Sequence, residues 1–244
     1  MKKKVLIDSG HSDLTSGKRA FDNSFFEYEF NYDVSNRIKK HLARHGVDSE
    51  VLQVRNTSST NELNARVDFI NKSGADIVVS VHANAFGTDW NTANGWEIYT
   101  YKNMGESLKL AQAIQKNSIP YLGLRDRGIK DGSAFAVVGK TNPPAVLIEH
   151  GFYTNKEEVT KLKSDEFREM CAIADTKGIL EYFGIRWIEE PKPEPTPVEP
   201  EPTGEYLYKV QVGAFAKEEN ATAMKDKLIK AGFTAMIVKV KKGE

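Results

Sequence analysis

A single cysteine, Cys171, is all the thiol chemistry that this sequence carries, so no disulfide can form within the chain. It lies in a helical spacing with Phe167, Met170 and Ala174, where a small buried apolar side chain is the expectation rather than a nucleophile. An excess of charge of one sign is also missing: Lys+Arg and Asp+Glu both number 34, which leaves no global field for nucleic acid or an anionic membrane. Long hydrophobic runs are absent, and no window approaches the ~18 apolar residues of a membrane-spanning helix. The opening "MKKKVLIDSGH" begins with lysines as a secretory signal does. Its apolar run ends after Val5, Leu6 and Ile7, well short of the roughly 7–15 residues a signal core needs. The expectation is synthesis in the cytoplasm, with any action on the cell exterior following release.

What is present is an ordinary globular composition, 40% hydrophobic and 28% charged, in 244 residues, room for one domain and something smaller. The division is visible at 189–203, "EEPKPEPTPVEPEPT", where six prolines and five glutamates leave almost nothing to bury. Such a segment is an extended spacer reaching roughly 40 Å at about 3.1 Å per residue. The sequence therefore predicts a large unit at 1–188, a Pro/Glu-rich linker at 189–204 and a short unit at 205–244.

The large unit alternates. "KKVLID", "VDSEVLQV", "ADIVVSVHAN", "GWEIYTY", "SAFAVV" and "AVLIEHGF" read as strands. Helical patterns cover 27–45 (closed by Gly46), the stretch opened by a Ser59–Glu62 capping box, 105–119, 155–163 and 165–183. Strands that are apolar throughout, alternating with helices, predict an α/β domain whose mostly parallel, twisted sheet is covered by helices on both faces.

In open α/β sheets, ligands bind beyond the carboxyl ends of the strands. His11 follows "VLIDSG", His82 closes "DIVVSVH" and Glu149 closes "AVLIE". Taken alone, Glu149 is either the entry to an exposed loop or a carboxylate kept for use, because burying its charge without a partner is costly. Glu27 and Glu29 open the first helix, where acidic residues suit the dipole; that role accounts for one of them and leaves the other free to be a ligand. His41 and His45 fit the carbonyl end of the same helix, and His150 points to the face opposite Glu149. Two imidazoles with glutamates match the donor set of hydrolytic zinc sites, where three protein ligands leave a position open for water.

"LIDSGHSD", "EYEFN" (27–31), "SVHANA" (80–85), "GWEIY" (95–99) and "PAVLIEHGFYTN" (144–155) together resemble the motif series of zinc-dependent N-acetylmuramoyl-L-alanine amidases, the amidase 3 family, over about residues 3–183. The resemblance implies that His11, Glu27 and His82 bind Zn2+ and that Glu149 is the catalytic carboxylate. Glu27 is preferred to Glu29 because the family's ligand stands four residues before a frequent asparagine, here Asn31. The chain departs from the family in carrying Ser9 and Ser12 where many members have Pro and Gly, which bears on the 9–24 loop. The implied substrate is the amide between N-acetylmuramic acid and L-alanine in bacterial peptidoglycan, cleaved by a phage endolysin or a mother-cell autolysin. A zinc peptidase acting within the stem peptide and a non-catalytic wall-binding protein are the competing functions. Arg125, Arg127 and Lys130, in "LRDRGIKDGSAF", read as a solvated charged loop, with contact to stem-peptide carboxylates as the alternative.

The short unit reads strand–helix–strand: Tyr208, Val210 and Val212 alternate, Ala221, Met224, Leu228 and Ile229 make a helical stripe, and "TAMIVKV" closes. It resembles the SPOR domain, a peptidoglycan-binding module, through "YKVQVGAF", but at half the usual length. A βαβ unit this small has little core and open edges, so a homodimer through this half-domain is expected.

Overall fold

The computed structural model describes residues 3–55, 59–189, 211–230 and 232–240. The chain divides into two units, 1–189 and 190–244. The Pro/Glu-rich linker lies outside the described residues apart from Glu189.

The first unit is a six-stranded sheet in the order β2-β1-β3-β6-β4-β5. Its strands are β1 (Lys4–Ser9), β2 (Asp48–Leu52), β3 (Ile77–Asn84), β4 (Trp96–Thr100), β5 (Asp126–Asp131) and β6 (Ala145–Phe152). All neighbours are parallel except β4 and β6, which run antiparallel. The helices are α1 (Glu27–Arg44), α2 (Ser59–Lys72), α3 (Gly105–Leu122), α4 (Ala136–Gly139), α5 (Lys156–Lys163) and α6 (Asp165–Phe183). The expected α/β architecture is what forms.

Alternation along the strands builds two cores. Val5, Ile7, Val79, Val81, Val146, Ile148 and Ile98 join Phe30, Ile38, Leu110, Ile114 and Ile179 in the larger one, under α1, α3 and α6. Leu6, Val78 and Ala145 join Leu52, Ile70 and Val137 in a smaller one, under α2 and α4. By the same alternation Asp8, Ser80, His82, Glu149 and Glu97 all point to the second, more thinly covered face.

Two expectations are corrected. "SAFAVV" is not a strand: Ala136–Gly139 is a single helical turn that buries Val137 and Val138. A short apolar run cannot distinguish a strand from a buried turn by periodicity alone. The fifth strand is instead the charged Asp126–Asp131, pairing with β4 at the sheet edge, where charges discourage further pairing. Arg127 and Lys130 therefore stand on a strand, while Arg125 precedes it and is exposed. In α2, Glu62 is buried and bonds Arg66 and Thr15; the Ser59 side chain, and with it the expected capping box, lies outside the described residues.

In the second unit α7 (Glu218–Lys230) forms as expected and buries none of its residues. Residues 211–215 and 233–240 carry no strand, so "TAMIVKV" has no ladder partner among the described residues. The first expected strand falls mostly at 205–210, outside them. No described helix is long and apolar enough to cross a membrane.

Candidate active site

Each predicted site residue is placed by a different element, and all four meet at the carboxyl edge of β1, β3 and β6. His11 follows β1 across Gly10 and adopts a left-handed backbone, φ 57°. Non-glycine residues seldom hold that conformation unless their surroundings fix it. Here the Arg66 guanidinium, on α2, donates to the carbonyl oxygens of His11 (2.9 Å) and Ser9 (2.7 Å). Arg66 is itself buried and paired with Asp8 and Glu62. Gly10 must be glycine, since a Cβ there would lie 2.1–2.6 Å from the His82 ring.

Glu27 begins α1 and is buried, with Oε1 2.9 Å from His82 Nδ1 and 3.5 Å from His11 Nε2. Asn31, one turn on, donates to the Gly10 carbonyl (2.9 Å) and faces Glu27, tying the helix start to the His11 turn. Glu29 is exposed, and its side chain accepts the Tyr28 hydroxyl. His82 lies near the end of β3 opposite Glu149 of β6, and its carbonyl accepts the Nδ1–H of buried His150, whose Nε2 faces Asp175. His150 thus faces away from Glu149, as expected, yet holds the backbone of a site histidine.

The donor atoms of His11, Glu27 and His82 all lie within 4.8 Å of one another. A tetrahedral centre with ~2.0–2.1 Å bonds separates its donors by roughly 3.3 Å, and the two imidazole–carboxylate gaps, 2.9 and 3.5 Å, are near that span. The chemistry agrees with the spacing. Burial lowers the His11 pKa to about 4 despite Glu27, so its ring is neutral, the form that ligates. Burial alone would push Glu27 up, but the two imidazoles hold it below the usual carboxylate range. The donor set fits a divalent cation of the zinc type.

Glu149 differs from Glu27. Its Oε2 is buried without a hydrogen-bond partner among the described residues, and burial, then the charges of Glu27 and Glu97, raise its pKa well above normal. An unpartnered carboxylate on the strand beside His82 is suited to proton transfer.

Sequence reasoning passed over Glu97, directly opposite Glu149 on β4. It is buried; one oxygen accepts Asn84 Nδ2 (2.7 Å) and the Tyr99 hydroxyl (2.6 Å), the other the salt bridges of Arg127 and Lys130. Burial opposes its charge, but Lys130, Tyr99 and Arg127 outweigh it and bring the pKa to about 2. The signal was its facing position in "GWEIY", two residues before Tyr99 on the same side of the strand.

The N-acetylmuramoyl-L-alanine amidase family model matches residues 5–181, and the SPOR domain model matches 204–244. The N-acetylmuramoyl-L-alanine amidase LytC of Bacillus subtilis is 35% identical over 181 residues, covering 73% of this chain and 35% of its own. The chain spans about a third of the length of the first curated relatives it matches. An N-acetylmuramoyl-L-alanine amidase from Clostridium difficile 630 superimposes with TM-score 0.69 at 30% identity, over 75% of this chain and 97% of that one. The catalytic domain of CwlV, an amidase of the same name from Bacillus (Paenibacillus) polymyxa var. colistinus, gives TM-score 0.66 at 32% identity, over 75% and 99%.

Proposed function

This chain belongs to the N-acetylmuramoyl-L-alanine amidase family, and from that premise we propose that it hydrolyses the amide between N-acetylmuramic acid and L-alanine in bacterial peptidoglycan, with zinc at the His11–Glu27–His82 cluster. The observation that carries the reading is the pairing of that donor cluster with Glu149, whose free buried oxygen lies on the same sheet edge. A bound zinc ion would supply a Lewis acid for the amide carbonyl and a water of lowered pKa. His11, Glu27 and His82 would hold it, and Arg66, Asn31 and His150 hold their backbones and side chains in place. Glu149 acts as general base. Its Oε2 takes the proton of the water that attacks the carbonyl carbon, then returns it to the amide nitrogen as the carbon–nitrogen bond breaks. An amide nitrogen leaves poorly without that proton.

The biological setting we assign is wall lysis, by an endolysin or an autolysin, with residues 205–244 as a wall-binding unit. The test is digestion of purified peptidoglycan with and without a chelator, followed by mass spectrometry of the products. New L-alanine amino termini beside intact muramic acid are expected, and the chelator should stop their appearance. Amino termini at any other stem residue would make the protein a peptidase. No release under either condition would leave a binding protein.

A further inference from the structure

His82, Glu149 and Glu97 are Cα partners across β3, β6 and β4, and the shift in register between β4 and β5 brings Arg127 next in the same row. Glu97 is saturated: it accepts four donors, two neutral on one oxygen and two cationic on the other. One carboxylate neutralises one cation, so the cluster keeps a positive charge. Among the described residues no other acid forms an ion pair with either cation: Asp126 and Asp131 accept from Gln115 and Ser133, and Glu158, whose charge Arg127 does feel, accepts the backbone N–H groups of Gly95 and Phe152. Nor are the cations sealed in. The Arg127 and Lys130 side chains are 27% and 35% exposed while Glu97 beneath them is 3% exposed. Arg127 meets Glu97 through Nε, its guanidinium lies over the Phe152 ring at 4.9 Å from the centroid, and Nη1 approaches the Asn94 carbonyl at 3.4 Å, which leaves Nη2 without a hydrogen bond among the described residues.

Strands lie about 4.8 Å apart, so β5 is on the order of 10 Å from Glu149. An extended peptide covers that in about three residues, at roughly 3.3–3.6 Å each. We propose that Arg127 and Lys130 form a subsite for a free carboxylate of the stem peptide, two to three residues beyond the scissile amide. The inference rests on the amidase reading and adds a specificity determinant to it. Glu97 orients both cations, and the fixed Arg127 fork suits a planar carboxylate. A substrate laid across the strands would then place its amide at Glu149 and its acid on β5.

The experiment compares two soluble muramoyl tripeptides that differ at one group, a free carboxylate or its carboxamide in the second or third peptide residue, on the zinc-loaded full chain. Wild type is expected to favour the acid by about tenfold in kcat/KM, mainly through KM, and to lose the preference as salt is raised. Lys130→Gln and Arg127→Gln should each reduce that preference to about twofold or less, whereas Arg127→Lys, which keeps a cation on Glu97, should retain part of it. Calorimetry with the released acidic and amidated peptides reads the same discrimination without turnover. Equal kcat/KM for both peptides in wild type, or an undiminished preference in both glutamine variants, overturns the subsite. Hydrolysis of neither peptide by wild type overturns the amidase reading, and the subsite with it.

Discussion

Glu27 and Glu29 share the first turn of α1, but only Glu27 is turned inward, onto both imidazoles. Replacing any of His11, Glu27 or His82 with alanine should lower zinc stoichiometry below one and abolish wall lysis together, as read by metal analysis of the folded protein. Glu29→Ala should change neither, and a reversal of the two glutamates' behaviour would put the ligand on the wrong residue. Glu149→Gln separates chemistry from binding: it should keep zinc and lose at least ~10²-fold in rate, because glutamine has the shape of the acid and none of its basicity. These four residues stood out in the sequence because each interrupts a pattern, an imidazole or carboxylate at the end of an apolar strand or in a helix's first turn, but the choice of Glu27 over Glu29 and the role of Glu149 came from the resemblance to the amidase family. Glu97 interrupts nothing. It occupies an alternate position in a short strand, and only the fold reveals that the position is buried under two cations. Its pKa of about 2 makes a separate prediction. The depressed value means that its contribution is present above the ordinary carboxylate range and is lost as pH falls through about 2. Glu97→Gln should therefore destabilise at pH 7, by about 1–3 kcal/mol for an unpaired charged partner. The gap between variant and wild-type urea midpoints should narrow steadily below pH ~4.5.

At the scale of elements, the strands that bury both faces could be read directly, since β1, β3 and β6 are apolar runs of the right length. The edge could not. Asp126–Asp131 pairs on one side only and carries four charged residues, so nothing in its hydrophobic pattern separates it from a loop. Ala136–Gly139 misleads in the opposite way, as an apolar stretch too short to show its period. Helix pairing follows rules that the sequence states more quietly still. Gly178 of α6 faces Ile114 of α3, and a Cβ there would stand 2.4 Å from the Ile114 Cα, so the helices approach through the missing side chain. Gly178→Ala should separate them and destabilise the first unit by about 1–3 kcal/mol, an overpacking cost that the backbone cannot avoid by a rotamer change. Because both helices lie on the face away from Glu149, zinc content per folded molecule should be unchanged; chemical denaturation and metal analysis on the same sample check both halves.

Across the whole molecule, every site residue falls within the first unit, and the second presents a different problem. α7 buries nothing, and Ile229, Phe233, Met236, Val238 and Val240 are all exposed, an apolar surface that a monomer seldom leaves uncovered. A second copy of the same surface would cover it, and the Pro/Glu-rich segment would let two catalytic units act from one joined pair. Two linked wall contacts raise avidity without adding any new contact at either site. The expected outcome is that the full chain sediments as a concentration-dependent dimer while residues 1–189 remain monomeric. Both should hydrolyse a soluble muramoyl peptide with kcat/KM equal to within about twofold, since His11, Glu27, His82 and Glu149 all lie in the first unit. On intact walls the full chain should be faster, and its advantage should shrink when Phe233 and Ile229 are replaced by serine. If the full chain stays monomeric across the concentration series yet keeps its advantage on walls, the tail binds as a single unit and its apolar surface meets the wall rather than its twin.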